Sequence, residues 1–460
     1  MRLHSSASWL VLFAVAVFVG CGDDDDDVVV PPANTAPTAV FSVMPDSGGS
    51  DTQFRFDAIA SFDAEDPTGI ITVRWDWDSD GIWDTPLNQV LVESARFCVP
   101  GTRRVRLEVR DSGGLTDTTS AEILVTADSA AWSPIVIGPS EAGTERSATP
   151  AAILMQDLAV IEDKLHVALN RGPILTCSAA SWTHSSPVGS ANAFATFNGE
   201  LLAAGTFLSG ELVVDYYPVV SFDGSNWQPE FGQFDRDATA IIEYDGEVII
   251  GTRVPRLVRS QPLIFRWDGN SWEELGGGLP GTDVFDFAIY DGKLIASGVF
   301  DSTEFFPGGL AAWDGKSWAR LGDALISPTA LTIFDGNLIV GGNFDAVAGV
   351  AAEGVARWDG ANWSALGDGF DINPFQAGVL AFTEFNGDLV AGGELETSGG
   401  TPISNIARWN GSSWEPIGTG LGSIIQGDKV SALTVYRGDL IAAGLLQVNG
   451  APYALARWRE

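Results

Sequence analysis

The stretch Trp318-Ala319-Arg320-Leu321-Gly322, then Ala330–Phe334, Asp335-Gly336, Asn337–Gly342 and, after a loop, Val355-Ala356-Arg357-Trp358-Asp359-Gly360, decides the fold. It holds four short apolar runs separated by turn signals, the pattern of strands rather than helices. We letter them d, a, b and c in that order. Working outward, seven tryptophans open equivalent segments: Trp132, Trp182, Trp227, Trp272, Trp318, Trp363 and Trp414, spaced by 50, 45, 45, 46, 45 and 51 residues. Seven four-stranded units of this period predict a seven-bladed β-propeller over residues 130–460. The region begins with a lone d strand, Trp132–Ile137, and stops after a c strand, Tyr453–Trp458. The first strand is therefore expected to complete the last blade, close the ring and remove its free edges.

Turn chemistry orients the blades. The a–b connections carry Asn198-Gly199, Asp245-Gly246, Asp291-Gly292, Asp335-Gly336, Asn386-Gly387 and Arg437-Gly438, with Glu162-Asp163 breaking the pattern in the first blade. The c–d connections carry Asp223-Gly224, Asp268-Gly269, Asp314-Gly315, Asp359-Gly360 and Asn410-Gly411. Such pairs supply the positive φ angles of tight hairpins. Both turn sets lie on one face of the disc, so the longer b–c and d–a loops share the other. Binding residues concentrate on loops held by a rigid scaffold. The candidates there are Asp301, Glu304, Phe305, Phe306, Asp345, Asp368, Asp371, Phe375 and Glu396, acids and aromatics of the kind that hold sugars or cations. None forms a specific motif. The tryptophan series reads as packing between blades.

Composition narrows the function. The 460 residues carry 25 Lys+Arg against 60 Asp+Glu, a formal charge of -35, which repels phosphate backbones and speaks against nucleic acid as a partner. With 45% hydrophobic residues, 16 Trp and 25 Phe, the chain has ample material for buried cores. Three His and three Cys exclude a zinc-rich or disulfide-framework protein. The repeat period, the Gly341-Gly342 doublet and the aromatic c strand before Asn362-Trp363 resemble kelch or galactose-oxidase-like repeats. The copper chemistry of the latter needs Cys, Tyr and His ligands, which a lone Cys177 and two histidines do not supply.

Residues 37–127 read as a small β-sandwich, with strands expected at Phe54–Ala60, Ile70–Trp77, Arg104–Val109 and Ala121–Val125. The segments Pro37-Thr38-Ala39-Val40-Phe41, Phe56-Asp57-Ala58, Arg74-Trp75-Asp76-Trp77-Asp78 and Pro100-Gly101-Thr102 leading to Val105–Asp111 resemble a PKD domain. That resemblance implies an immunoglobulin-like β-sandwich serving as a spacer or adhesion module. Trp75 is expected in its core. Within it, Asp76, Asp78, Asp80 and Asp84, with Gly81 and the Ile82 carbonyl, match the spacing of a calcium loop. Leu87 stands where the bidentate Glu would be, and strands rather than helices flank the loop. Two readings stay open: a weak calcium site, or a β-turn whose aspartates cap backbone amides.

The first 20 residues carry Arg2 ahead of the apolar run Trp9–Gly20, and Phe18-Val19-Gly20-Cys21 resembles the lipobox of bacterial lipoproteins. The resemblance implies a signal peptide over 1–20, cleavage before Cys21 and lipidation of that residue, so that membrane contact is through the anchor alone. Residues 21–36, with Asp23–Asp27 and two prolines, read as an acidic tether. Cys98 and Cys177 then remain, one per domain; they either join in a disulfide or stay as two buried thiols.

No Ser/His/Asp spacing, histidine cluster or phosphate loop marks an enzyme. The all-β chain therefore reads as a non-catalytic, monomeric lipoprotein of the bacterial cell envelope, on the outer membrane or cell surface. It is expected to bind a polysaccharide or an envelope or extracellular protein, with calcium as its only candidate cofactor. The alternatives are a glycosidase or lyase using loop-face carboxylates, which leave no linear signature, and a purely structural envelope component.

Overall fold

The computed structural model describes residues 33–49, 52–67, 69–98, 100–126, 131–135, 137, 155–170, 172–177, 182–185, 188–209, 215–224, 226–254, 261–300, 309–322, 327–371, 376–422 and 427–460. Among them the regular elements are strands, apart from one 3-10 turn at Leu275–Gly277. Cys21 and the tether up to residue 32 lie outside the described residues.

Two sheets make the N-terminal unit. One orders Ser42–Met44, Phe54–Asp57 and Val92–Ala95; the other orders Ser47–Gly48, Thr116–Val125, Gly101–Arg110 and Thr72–Asp76. Alternation puts Phe54 and Phe56 inside with Arg55 outside, as a half-buried strand requires. Phe54, Phe56, Ile71, Trp75, Phe97 and Leu107 are fully buried. The Trp75 ring stacks on Trp77 at 5.2 Å and meets Phe41 edge-on at 5.1 Å. Strand extents differ from expectation. The second is only Thr72–Asp76, because the Trp77 amide turns to the Asp84 carboxylate (2.6 Å) instead of a ladder partner. The last two lengthen to Gly101–Arg110 and Thr116–Val125 and pair along their whole length.

The described strands of the C-terminal region form consecutive antiparallel meanders. Five are separate four-stranded sheets and one nine-stranded sheet joins two such units, so that the units number seven in chain order. The fifth orders Ser327–Phe334, Asn337–Asn343, Val355–Trp358 and Trp363–Ala365. Units three and four are fused into one sheet where Arg253 pairs with Asp283 and Gln261-Pro262 pair with Pro280-Gly281. The first strands of the units are Met155–Ile161, Val188–Phe197, Asp237–Tyr244, Pro280–Tyr290, Ser327–Phe334, Val379–Phe385 and Lys429–Tyr436. Each touches the next, and the seventh touches the first. The seventh unit takes its fourth strand from the other end of the chain: Trp132–Pro134 pairs antiparallel with Ala451–Trp458, matching Trp132 to Trp458.

The tryptophans explain the repeat. Within units, Trp267/Trp272, Trp313/Trp318, Trp358/Trp363 and Trp409/Trp414 pair at 5.0 to 5.5 Å between ring centres. Trp458/Trp132 reproduces the pair at 5.6 Å across the chain ends. Between units, the indole N–H of Trp272, Trp318, Trp363, Trp414 and Trp132 donates to Phe231, Leu275, Gly322, Leu366 and Ile417 carbonyls of the preceding unit, at 2.7 to 2.9 Å. Gly322 has φ +56, and a Cβ there would sit 2.6 Å from the Trp363 indole nitrogen, so a side chain is excluded on both counts.

The two turn sets are not alike. All seven a–b turns have positive φ at both central residues, including Glu162 and Asp163, which need no glycine to do so. In the c–d turns at Gly269, Gly315, Gly360 and Gly411 only the glycine has positive φ, and Gly224 has it as well among the described residues of its turn. These are wider loops closed by a side chain: Asp268 Oδ1 accepts from Asn270 and Ser271 amides at 2.8 and 2.7 Å, and Asp359 does the same for Ala361 and Asn362. Expecting a two-residue hairpin there missed the carboxylate's role.

Candidate functional site

Three places carry chemistry. The first is the aspartate loop of the sandwich. One oxygen each of Asp76, Asp78 and Asp84 lies within 4.8 Å of the others. Asp76 is fully buried; its Oδ2 accepts the Gly81 amide at 3.2 Å, while its buried Oδ1 has no hydrogen-bond donor. Asp84 is exposed as a residue, but its Oδ2 is turned inward onto the Trp77 amide. Burial pushes the Asp84 carboxyl up to about 6, and the charges of Asp78, Asp76 and Asp80 push the same way. Burial also raises Asp78. Asp80 stands apart from the convergence and caps the Ile82 amide at 2.7 Å. Ile82 itself points its side chain to solvent.

The second place is the loop face. The d–a and b–c loops are stitched together there: Phe370 N–H donates to Glu353 O and Asp371 N–H to Thr397 O, at 2.8 and 2.9 Å. The Thr397 hydroxyl donates to the Asp371 carboxylate. Glu396 accepts from the Gln376 amide at 3.1 Å. Asp371 and Glu396 are thus brought together beside the small hairpin Thr397–Ser398 and Thr401–Pro402, where they hold the loops in place. Asp345, at the base of the hairpin Ala346–Val347 and Val350–Ala351, and Asp368 are exposed. Asp301, Glu304, Phe305, Phe306 and Phe375 lie outside the described residues.

The third place is an open-ended cavity of about 280 Å³ lined by the seven first strands. Sequence reasoning did not single it out. Each first strand carries an extra residue that breaks its register with the second: Gln156, Asn192, Thr239, Phe285, Thr329, Leu380 and Ser431; the fourth of these strands carries a further one, Thr282, nearer its start. The seven first named line the cavity. Several bridge to the next unit: Asn192 donates to Ala238 O at 2.8 Å, Thr239 to Val284 O at 2.7 Å, and Thr329 to Val379 O. The following residue is alanine in five units and aspartate in two, Asp157 and Asp286. Each aspartate takes its own neighbour's amide on one oxygen and the next unit's amide on the other. Asp157 accepts from Leu158 and Phe194, both at 2.8 Å; Asp286 accepts from Phe287 and Leu331, both at 2.7 Å. The signal was available in the sequence, since this position always falls five residues before the a–b turn.

Burial pushes Asp157 up to about 6 and Asp286 up to about 7; the amide hydrogen bonds act the other way, and the Asp157 charge adds to the rise at Asp286. The folded ring therefore binds protons more readily than the unfolded chain. Their contribution is complete below about pH 4, the unfolded carboxylate range, and is lost as pH rises through 6 to 7. The melting temperature is expected to fall between pH 5 and pH 8. Asp286→Ala, which installs the residue of the five sister units, should flatten that slope; an unchanged slope would remove Asp286 as its source.

His166 is fully buried, with Nδ1 at 3.0 Å from the Thr176 hydroxyl and its ring against Phe222. Burial holds it near 4, so it is neutral at physiological pH and part of the core.

The sandwich and the ring meet beside the chain-closing unit. Cys98 of the sandwich is disulfide-bonded to Cys177 of the first unit, with Cα atoms 6.6 Å apart. Buried Arg457 of the last strand donates to the Cys98 carbonyl at 3.3 Å. Cys98 shares one apolar cluster with Met155, Leu175 and Tyr436 of the ring.

No protein-family model matches the chain, and no curated protein does so. Solved structures do. The extracellular domain of what is named a hybrid two-component system of Bacteroides thetaiotaomicron is 8% identical with a TM-score of 0.46, over 68% of this chain. The match spans 39% of that longer chain. The PKD1 domain of Vibrio anguillarum Epp is 25% identical over 21% of this chain and all of its own, with a TM-score of 0.17. A quinonprotein alcohol dehydrogenase-like protein of B. thetaiotaomicron is 9% identical over 91% of this chain and 96% of its own, with a TM-score of 0.34. At these scores the strand pairing described above, not the likeness, carries the fold. Among the described residues no helix is long and apolar enough to cross a membrane.

Proposed function

We propose that the ring is a seven-bladed β-propeller of kelch-like type that serves as a non-catalytic binding platform, held at the bacterial cell envelope by a lipid on Cys21. The observation that carries this reading is the stitched loop face. Loops of adjacent units are tied to each other there by backbone and carboxylate hydrogen bonds, which makes a pre-formed surface on a closed scaffold. Pre-formed surfaces bind with less ordering cost. Two of the acids are engaged in holding loops, which favours recognition over acid–base chemistry at Asp371 and Glu396. The sandwich, bonded to the ring through Cys98, acts as the spacer that lifts this face from the membrane.

The test is an array of envelope polysaccharides and glycans probed with the chain from residue 22 onward, followed by capture of extracellular proteins if no glycan binds. Asp345→Ala and Asp368→Ala are exposed substitutions, expected to change stability by less than about 0.5 kcal/mol. Each is expected to weaken a bound glycan or protein about tenfold, or about 1.4 kcal/mol. Saturable binding with no product supports the platform. Cleaved glycan would instead establish an enzyme, and silence against both classes would leave a structural envelope component.

A further inference from the structure

We propose that the loop from Asp76 to Asp84 is a binding site for a hard divalent cation, calcium, with Asp76, Asp78 and Asp84 as its carboxylate ligands. Three features of the loop converge on this. First, the three carboxylate oxygens lie within 4.8 Å of one another, close enough to share one ion. Like charges at that spacing repel, and a divalent ion between them converts the repulsion into coordination. Second, Asp76 is fully buried, and its Oδ1 has no donor among its neighbours. A buried carboxylate oxygen left unpaired is costly, and carboxylates so placed are held by a cation or a donor. Its partner oxygen is already engaged by the Gly81 amide, which fixes the carboxylate plane. Third, the loop is built to hold this arrangement without the ion. Gly81 takes φ +93, and Ser79 donates to the Arg104 carbonyl at 2.6 Å, tying the loop to the Gly101–Arg110 strand.

The donor set selects the ion. All three side chains offer oxygen, with one edge open through exposed Asp84 for water to complete six to eight ligands. Magnesium demands near-octahedral geometry and gives up its waters reluctantly, usually binding through one or two carboxylates, so a site of three converging carboxylates suits it less well than calcium. The site also departs from the sequence pattern in its membership: Asp80 is not a ligand but a cap on the Ile82 amide. Arg103 is the competing counter-charge. It is buried and acts on Asp78, as does Arg437 of the last ring unit, so the loop faces the junction between sandwich and ring. A cation bound here would stiffen the strand that leads out of Cys98.

The experiment uses the full chain. Terbium is titrated with excitation of tryptophan, since Trp77 and Trp83 lie within the loop, and the signal is then displaced with calcium or magnesium. The expected result is sensitised emission displaced by calcium at about 0.1 to 1 mM, the range of extracellular calcium modules, with magnesium weaker. Asp84→Asn and Asp78→Asn should each lower the calcium affinity at least about tenfold, about 1.4 kcal/mol. Other aspartates, Asp23–Asp27 among them, also attract terbium, so the difference between wild type and variants is the deciding quantity. Melting without metal serves as the folding control, and Asp84→Asn is expected to melt no lower than wild type there because one repelling charge is gone. Equal affinities in wild type and a folded Asp84→Asn variant would overturn the site. So would the absence of any calcium-dependent rise in melting temperature up to about 10 mM; Arg103 would then be the counter-ion the loop was built for.

Discussion

Replacing Trp132 with alanine is expected to destabilise the protein by about 3 to 5 kcal/mol, the usual range for deleting a buried aromatic ring. The ring of Trp132 is 4% exposed, packs on Trp458 at 5.6 Å and donates its indole N–H to the Ile417 carbonyl at 2.9 Å. Those contacts join residues more than 280 positions apart. Its strand is also the only one in the seventh unit supplied from the other end of the chain, so weakening it exposes the edge of Ala451–Trp458. The same deletion at Trp363, whose strand is continuous with its unit, removes comparable packing but leaves closure intact. Urea unfolding followed by tryptophan fluorescence should therefore show a larger loss for Trp132→Ala than for Trp363→Ala. Trp132→Phe keeps the apolar contact and loses the donor, which should cost about 1 to 3 kcal/mol for the carbonyl left unpaired. Equal losses at the two alanine variants would mean that pairing of the chain ends is not what holds the ring.

Breaking the bond between Cys98 and Cys177 is expected to lower stability by about 4 kcal/mol on the chain-entropy account, because the closed loop spans 79 residues. The bond constrains more than one sheet: it ties the sandwich to the first unit of the ring, next to the point where Arg457 of the last unit reaches the Cys98 carbonyl. Cys98→Ser with Cys177→Ser should lower the urea midpoint and add proteolytic cleavage between the two domains. Intact mass of the wild type, alkylated with and without reductant, checks the premise. If reduction adds no pair of alkyl groups to the mass, the bond and the prediction fall together. Arg457 offers a second reading of the same junction. It is 3% exposed beside Asp439, which also pairs with Arg459 at 2.5 and 2.8 Å.

Much of the fold was legible because it is periodic. A tryptophan every 45 to 51 residues marks the fourth strand of each unit. At Trp132, Trp272, Trp318, Trp363 and Trp414 the indole-to-carbonyl bond to the preceding unit gives that residue type a reason to recur, whereas the buried indole nitrogen of Trp182 makes no such bond. The lone strand at 132–134 was legible for the same reason, since a unit ending in its third strand requires a fourth from elsewhere. Where side chains rather than the backbone set a turn, the reading failed: Asp268 and Asp359 widen their loops by accepting two amides each. Dipeptide patterns do not distinguish an aspartate chosen for its φ from one chosen for its carboxylate.

The candidate sites were legible only in part. Spacing pointed to the aspartate loop but included Asp80, because one-dimensional spacing cannot say which way a carboxylate turns. Asp371 and Glu396 were chosen as exposed acids, and the structure gives each a hydrogen-bond partner in a loop. Asp157 and Asp286 were passed over because each is a single charge inside a strand, and only closure of seven strands around one cavity turns them into a pair. By itself, then, the sequence determined the repeat, the strand count per unit and the sandwich, since these follow from local periodicity, which every copy states again. The tertiary structure alone decided which carboxylates converge, that Cys98 lies within bonding reach of Cys177, and which acids lose their water. Those are distances and burials between residues far apart in the chain, and no local pattern encodes them.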